Sequence, residues 1–377
     1  MSTDHARTAA NDNYDAAIIG GGLVGLAIAY GMSRTGARVI ILDEGDVAYR
    51  ASRGNFGLVW VQGKGVGKGA YSNWTQGSAR EWPCLERLLR EDTGIDVTLE
   101  QPGGFQVCLS DAEMQAKLDS MAALMAQQDV NRYDYQVCDP ADLRAAFPGL
   151  GPDVVGGVYT RLDGHVNPLR LFRALLVGAQ TYQATYRPMT PVSRIDKRAD
   201  GFAVQTPGDM VRASRVVLAA GLGNAQLAPA LGMNVPVRPQ RGQILVMERM
   251  PRFMSHPIVT LRQTDEGTVL IGDSLEEAGL DDRVGLPVLA TLADRATRIF
   301  PALASARVVR TWAALRVMSP DGFPVYAKSS TMPGAFAATC HSGVTLAAAH
   351  ALQLAPSILA GKLPDMLTPF SMDRFNV

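Results

Sequence analysis

Apolar positions along the chain first cluster at residues 16–19, recur after a glycine turn over 23–34, and form a second short run over 38–42. Short unbroken apolar runs suit buried strands and the longer stretch suits a buried helix, so residues 15–43 predict a β-α-β unit. Residues 50–69 are glycine-rich and follow neither period, yet Val59 and Trp60 interrupt them, which predicts a loop folded over a ligand rather than a free linker. Helical patterning returns over 71–99, over 111–128 with Asp111 near its cap, and over 165–180 from Asn167-Pro168, with a strand at 104–109. Short strands are expected near 192–196, 202–206, 210–212 and 216–219, and alternation over 242–272 predicts antiparallel strands at 243–247, 258–261 and 268–271. There are no repeats or low-complexity tracts.

At 377 residues the chain exceeds what one core commonly holds, which predicts two lobes. Its 36 basic and 36 acidic residues cancel, and no basic cluster supports binding to nucleic acid or an anionic membrane. Cys84, Cys108, Cys138 and Cys340 lie far apart with no CxxC pair, so no zinc or iron-sulfur site is expected and no metal is assigned. Residues 1–13 are polar and lack a signal-peptide core, which predicts a cytoplasmic protein with a frayed start. Three long uncharged runs, 16–33, 216–237 and 329–361, are broken by glycines, by Pro229 and Pro236, and by His341, His350, Gln353 and Pro356. They predict buried strand-turn-helix units rather than a membrane span.

Gly20-Gly21-Gly22-Leu23-Val24-Gly25 satisfies GxGxxG between the first strand and the helix. Gly20 permits the turn, Gly22 lets main chain approach a pyrophosphate, Gly25 lets helix and strand pack, and the helix N-terminus adds partial positive charge. Asp43 ends the second strand, near the spacing at which an acid binds a ribose hydroxyl. Both FAD and NAD carry the ADP group this site would take. A second fingerprint is absent, since Gly221-Leu222-Gly223 has Gln226 in place of the third glycine, so electrons are expected from an organic substrate rather than NAD(P)H. The run 63–69 fails as a phosphate loop because Gln62 and Gly69 stand where glycine and Ser/Thr are needed, leaving a flexible loop rimmed by Lys64 and Lys68.

Residues 14–43, the loop 51–57, residues 216–221, Arg241-Gly242-Gln243, residues 312–316 followed by Pro320-Asp321-Gly322-Phe323-Pro324, and residues 341–346 occur in an order that resembles the D-amino-acid-oxidase family, in its glycine and sarcosine oxidase branch. Residues 55–65 look most like the catalytic subunits of opine oxidases, hydrogen cyanide synthase and D-hydroxyproline dehydrogenase. The resemblance implies an α/β fold, with a Rossmann-type FAD-binding domain assembled from 14–80, 140–230 and 325–377. A substrate domain on a mixed or antiparallel sheet would comprise 81–139 and 231–324. It implies that Gly20, Gly22, Gly25 and Asp43 hold the ADP part, with Val192, Ala220 and Gly221 beside it. Ser52, Asn55 and Gly57 would follow the pyrophosphate and flavin ring. Gly343, Val344, Thr345 and Leu346 would open a last helix aimed at the flavin N1/C2 edge, where its N-terminus stabilises negative charge.

By the same resemblance Arg316 grips a substrate carboxylate, the alternative being a structural ion pair. His341 stands where glycine oxidase has a second carboxylate-binding arginine, and either hydrogen-bonds substrate or flavin or caps the helix. His165 reads as a turn residue rather than a catalyst. Some sarcosine oxidases tether flavin through a cysteine whose place here is taken by Ala314, which predicts noncovalent FAD. The implied reaction is oxidation of a C–N bond in an amino acid or secondary amine, with hydride passing to flavin N5 and water hydrolysing the imine. A second flavoprotein subunit is the implied partner. The rival readings are a flavin monooxygenase, for which Gly272-Asp273 offers a late GD pair, and a non-catalytic flavin-binding subunit.

Overall fold

A computed structural model describes residues 13–45 and 51–375; the expected frayed start falls on residues 1–12, outside the described residues. Strands Ala16–Ile19 and Val39–Leu42 are buried at every position and pair in parallel, as the unbroken apolar runs predict. Val216–Leu218 lies on the other side of Ala16–Ile19, followed by Ala335–Thr339, both parallel. Thr185–Arg187 and antiparallel Val325–Lys328 form the two edges of this six-stranded sheet.

Alternation along the strands sends side chains to two cores. Ala16, Ile18, Val39 and Ile41 face the helices Leu23–Ser33 and Pro168–Thr181, while Ala17, Ile19, Ile40 and Leu42 face a smaller four-stranded sheet that includes Gly201–Thr206 and Asp209–Ala213. The helix Gly69–Thr93 adds the fully buried Trp74 and Trp82 to the first core. It stops where Gly94, at φ 70°, turns left-handed and donates its N–H to Arg90 O, short of the expected residue 99. Its neighbour Asp111–Ala126 is capped by Ser110, whose side chain accepts from Glu113 N, and Asp111 is its first residue.

The second lobe is antiparallel. Leu261–Gln263, Thr268–Ile271, Arg238–Arg249 and Val308–Met318 form one sheet in that order, and Gly104–Cys108, Gly156–Thr160 and Tyr135–Cys138 another. Their shared core includes Phe105, Phe147, Leu245, Ile271 and Ile299. Strand Gly156–Thr160 hydrogen-bonds to strands on both sides, so a boundary at 139/140 parts paired strands. A boundary at 80/81 likewise falls within the helix Gly69–Thr93. Unforeseen are the helix Leu286–Ile299, the strand Val308–Met318 and the edge strand Val325–Lys328, whereas Ala335–Thr339 falls in the run 329–361 expected to form strand, turn and helix. No helix among the described residues is long and apolar enough to cross a membrane.

Candidate active site

The glycine turn is shaped by close approach. Gly20 has φ 110° and a Cβ there would overlap Ala219 O, while a Cβ on Gly25 would overlap Gly20 O. Asp43, buried at the end of its strand, accepts from Gly21 N at 2.7 Å and Gly45 N at 3.1 Å, tying the turn to the second strand. Ser52 Oγ accepts from Leu23 N at 2.9 Å and would lie 3.0 Å from a Cβ on Gly22, so it closes on the helix start beside the turn.

These groups open into a cleft of about 730 Å³ whose walls include Gly20, Gly22, Asp43, Ser52, Asn55, Val192, Ala220, Gly221, His341 and Gly343. That is the scale of a cofactor pocket. Gly25, Gly57, Val344, Thr345, Leu346 and Arg316 are not on its walls. Gly25 serves packing. Gly57, at φ 92°, shapes the loop: its N–H donates to Asn55 Oδ1 at 2.7 Å, and a Cβ would meet Val166 O at 2.5 Å.

Val344, Thr345 and Leu346 are buried behind Gly343. Thr345 Oγ1 accepts from Trp60 N at 3.1 Å and donates to Leu58 O at 3.3 Å, while Trp82 Nε1 and Ser78 Oγ donate to Thr345 O. The turn 343–346 is thereby fixed to the loop 58–60. Regular helix starts only at Ala347, widens to a π form over His350–Leu354 and resumes at Ala355–Leu359. The residues forecast to open the helix therefore form the turn leading into it.

Arg316 projects from Val308–Met318, and the next residue, Val317, lines the cleft. A Cβ on Gly242 would overlap the guanidinium, so glycine makes room for it. Nη1 donates to Ser274 O at 2.7 Å, and Asp273 Oδ1 lies 3.8 Å from Nη2. Burial lowers the arginine's pKa and raises that of Asp273. Asp273 of the Gly272-Asp273 pair, at φ 81°, thus faces a cation in the second lobe.

His341 is driven down to about 3 by burial and by the nearby charges of Lys64 and Arg316, so its imidazole is neutral. Its Nε2 lies 3.2 Å from Ser342 Oγ, which also meets Tyr71 OH at 2.7 Å and accepts from Lys64 Nζ. The two lysines expected to rim a flexible loop are instead anchored, Lys68 beside Asp321 at 3.3 Å and Lys64 inward on Ser342. Burial pushes the Cys340 thiol on the cleft wall up to about 12. His165 is a buried strand residue paired with Leu58, not a turn residue, and burial lowers it to about 3. Sequence reasoning missed Tyr71, Ser342 and Arg262, the last fully enclosed and donating to Phe56 O. No metal-binding cluster occurs among the described residues.

Residues 15–356 match the family DAO, described as FAD dependent oxidoreductase. One of the subunits of an opine oxidase from Agrobacterium tumefaciens (strain Ach5) is 44% identical over 362 residues, spanning 96% of this chain and 98% of the relative. Hydrogen cyanide synthase subunit HcnC of Pseudomonas aeruginosa is 28% identical over 410 residues, spanning 97% of each. Among solved structures, glycine oxidase from Geobacillus kaustophilus superposes with a TM-score of 0.86 over 96% of this chain and 98% of that one, at 24% identity.

Proposed function

We infer from two premises, that the chain belongs to the DAO family of FAD-dependent oxidoreductases and that its cleft is walled by main chain at one end and by His341 near Arg316 at the other, that it oxidises the C–N bond of an amino acid or secondary amine to an imine. FAD held in the cleft supplies the hydride acceptor. Gly20, Gly22, Asp43 and Ser52 would hold the ADP group, with Gly25 keeping helix and strand close and Val192, Ala220 and Gly221 alongside. Asn55, Gly57 and the turn from Gly343 through Val344, Thr345 and Leu346 would frame the ring. The glycines at 20 and 22 on the cleft wall support this fit, since they present main chain to the cleft where a side chain would stand.

The observation that carries the substrate reading is a half-buried guanidinium without a carboxylate closer than 3.8 Å, one residue from the cleft wall. Only part of its donor fork is spent on Ser274 O, so donors remain for a substrate carboxylate. Neutral His341 can accept from the amine or donate to the carboxylate without placing a third positive charge there. Positioning of the α-carbon is the protein's contribution, and no side-chain base is required.

FAD is held noncovalently on this reading, because Ala314 offers no nucleophile and Cys340 stays a thiol. Acid precipitation then leaves the yellow chromophore in the supernatant. The lobes follow the segments 14–80, 140–230 and 325–377 for FAD and 81–139 and 231–324 for substrate, except that the whole helix Gly69–Thr93 joins the FAD side and Gly156–Thr160 the substrate side. Relatives named as subunits support a partner chain, and on this reading that partner is a second flavoprotein that accepts the electrons, in a cytoplasmic assembly. Stoichiometric peroxide from the isolated chain would argue against that acceptor.

The deciding experiment mixes purified holoprotein anaerobically with amino acids, N-alkyl glycines, cyclic imino acids and opines. Loss of flavin absorbance with at least one class is expected. No bleaching by any amine, or NADPH consumption in its place, sinks the reading.

A further inference from the structure

Lys64 lies between Gly63, at φ 75°, and Gly65, at φ 92°, and a Cβ on Gly65 would meet Ser72 N at 2.5 Å. Glycine on both sides lets the loop fold against the start of the helix Gly69–Thr93 and sends the lysine inward. Its ammonium sits 5.8 Å from the centre of the Tyr71 ring and donates to Ser342 Oγ. Ser342 stands between His341 and Gly343, both on the cleft wall.

Lys64 lacks a counter-charge. Among the described residues no carboxylate lies within 4.0 Å of its Nζ, whereas Lys68 has Asp321 at 3.3 Å. The groups around it are Tyr71 from the helix, Cys340, His341 and Ser342 from the wall, and Asp163 beneath the loop. Asp163 is engaged by Val61 N, Gln62 N and Gln62 Nε2 and is itself pushed up to about 7 by burial, which halves its negative charge near neutrality. A half-buried ammonium with a hydroxyl and no carboxylate as partner is costly to keep. On a ligand cleft that cost is offset when the ligand brings the anion. Arg316 is the other cation felt at His341, so the imidazole has a cation from each of two separate elements within electrostatic reach.

We propose that Lys64 is a second carboxylate-binding group and that the preferred substrate is a secondary amine bearing a carboxylate on each of its two nitrogen substituents. Arg316 takes one carboxylate, Lys64 the other, and His341 faces the nitrogen between them. The assignment rests on the C–N oxidation reading above.

The test compares anaerobic flavin reduction of holoprotein by iminodiacetate and N-(1-carboxyethyl) amino acids with reduction by N-ethylglycine and N-isopropyl amino acids, in which a methyl group replaces one carboxylate. Wild type is expected to favour the dicarboxylates. Lys64→Met is expected to lower the ratio of kcat/KM between the two sets by roughly 30-fold or more, with Lys64→Arg retaining most of it. A purely structural lysine would lower both sets together and leave the ratio unchanged, which would overturn the proposal while the C–N reading stood. Preference for aspartate or glutamate over the secondary amines would overturn the substrate class. Failure of every amine to bleach the flavin would instead remove the C–N reading. Should Lys64→Met not fold, the wild-type ratio serves: it should fall as pH rises through about 8, where burial places loss of the Lys64 proton, and a flat ratio overturns the assignment.

Discussion

The glycine-turn end of the cleft is walled by main chain at Gly20 and Gly22, braced by the clamp from Asp43 to Gly21 N and Gly45 N. At His341 the wall lies near side-chain charges, Arg316 and Lys64, gathered from an antiparallel strand and a glycine-rich loop. The first kind of recognition depends on absent side chains at fixed spacing and suits a group common to many cofactors. The second depends on where charges arrive after folding and sets which substrate is taken. Damage to the first should abolish cofactor binding, and damage to the second should alter substrate use with flavin in place.

The largest break is expected at Gly20. A valine there combines φ 110° with overlap on Ala219 O, a strain of about 3 kcal/mol or more, and should give protein without flavin. Normal visible absorbance per protein would show that the main-chain end tolerates bulk. Arg316→Met should keep the flavin spectrum and lose roughly a hundredfold or more in kcat/KM on carboxylated substrates, with Arg316→Lys in between. Equal activity of wild type and Arg316→Met would reduce Arg316 to a link with Ser274 O.

Asp43→Ala strands two amides and should weaken FAD binding by about 1.5–3 kcal/mol, on the order of tenfold to a hundredfold in Kd, readable by fluorescence titration. An unaltered Kd would take Asp43 out of the site.

The smallest effect is a pH dependence. Burial lowers Lys64 to about 8, so its charge is present below that pH and lost above it. Dicarboxylate kcat/KM should therefore fall a few-fold, up to about tenfold, between pH 8 and 9, after correction for the profile of an N-isopropyl analogue. His341, at about 3, contributes no step in that range.

The β-α-β unit was legible because strand, turn and helix each carry their signal within a few residues and end buried as their patterns require. Leu286–Ile299 was legible and overlooked: Leu289, Leu292, Ala296 and Ile299 follow helical spacing and form its buried face. Val308–Met318 was not, since its run of valines and alanines does not alternate and is held by pairing with Arg238–Arg249 far away in sequence. At the site, Arg316 was found through resemblance alone. Lys64 was noticed only as one of two lysines rimming a glycine-rich loop, because neither Ser342 nor Tyr71 announces in sequence that it will meet an ammonium.

Strand Val216–Leu218 has the chain's first long strand, Ala16–Ile19, on one side and its last, Ala335–Thr339, on the other. A polypeptide made from its N-terminus onward thus displays the glycine turn long before Gly343 exists to face it. Joining such distant segments is slow, and in the interval the apolar flank of Val216–Leu218 is open to other partners. Flavin cannot be enclosed until the late strand docks, so the appearance of yellow colour during synthesis would time the end of folding rather than its beginning.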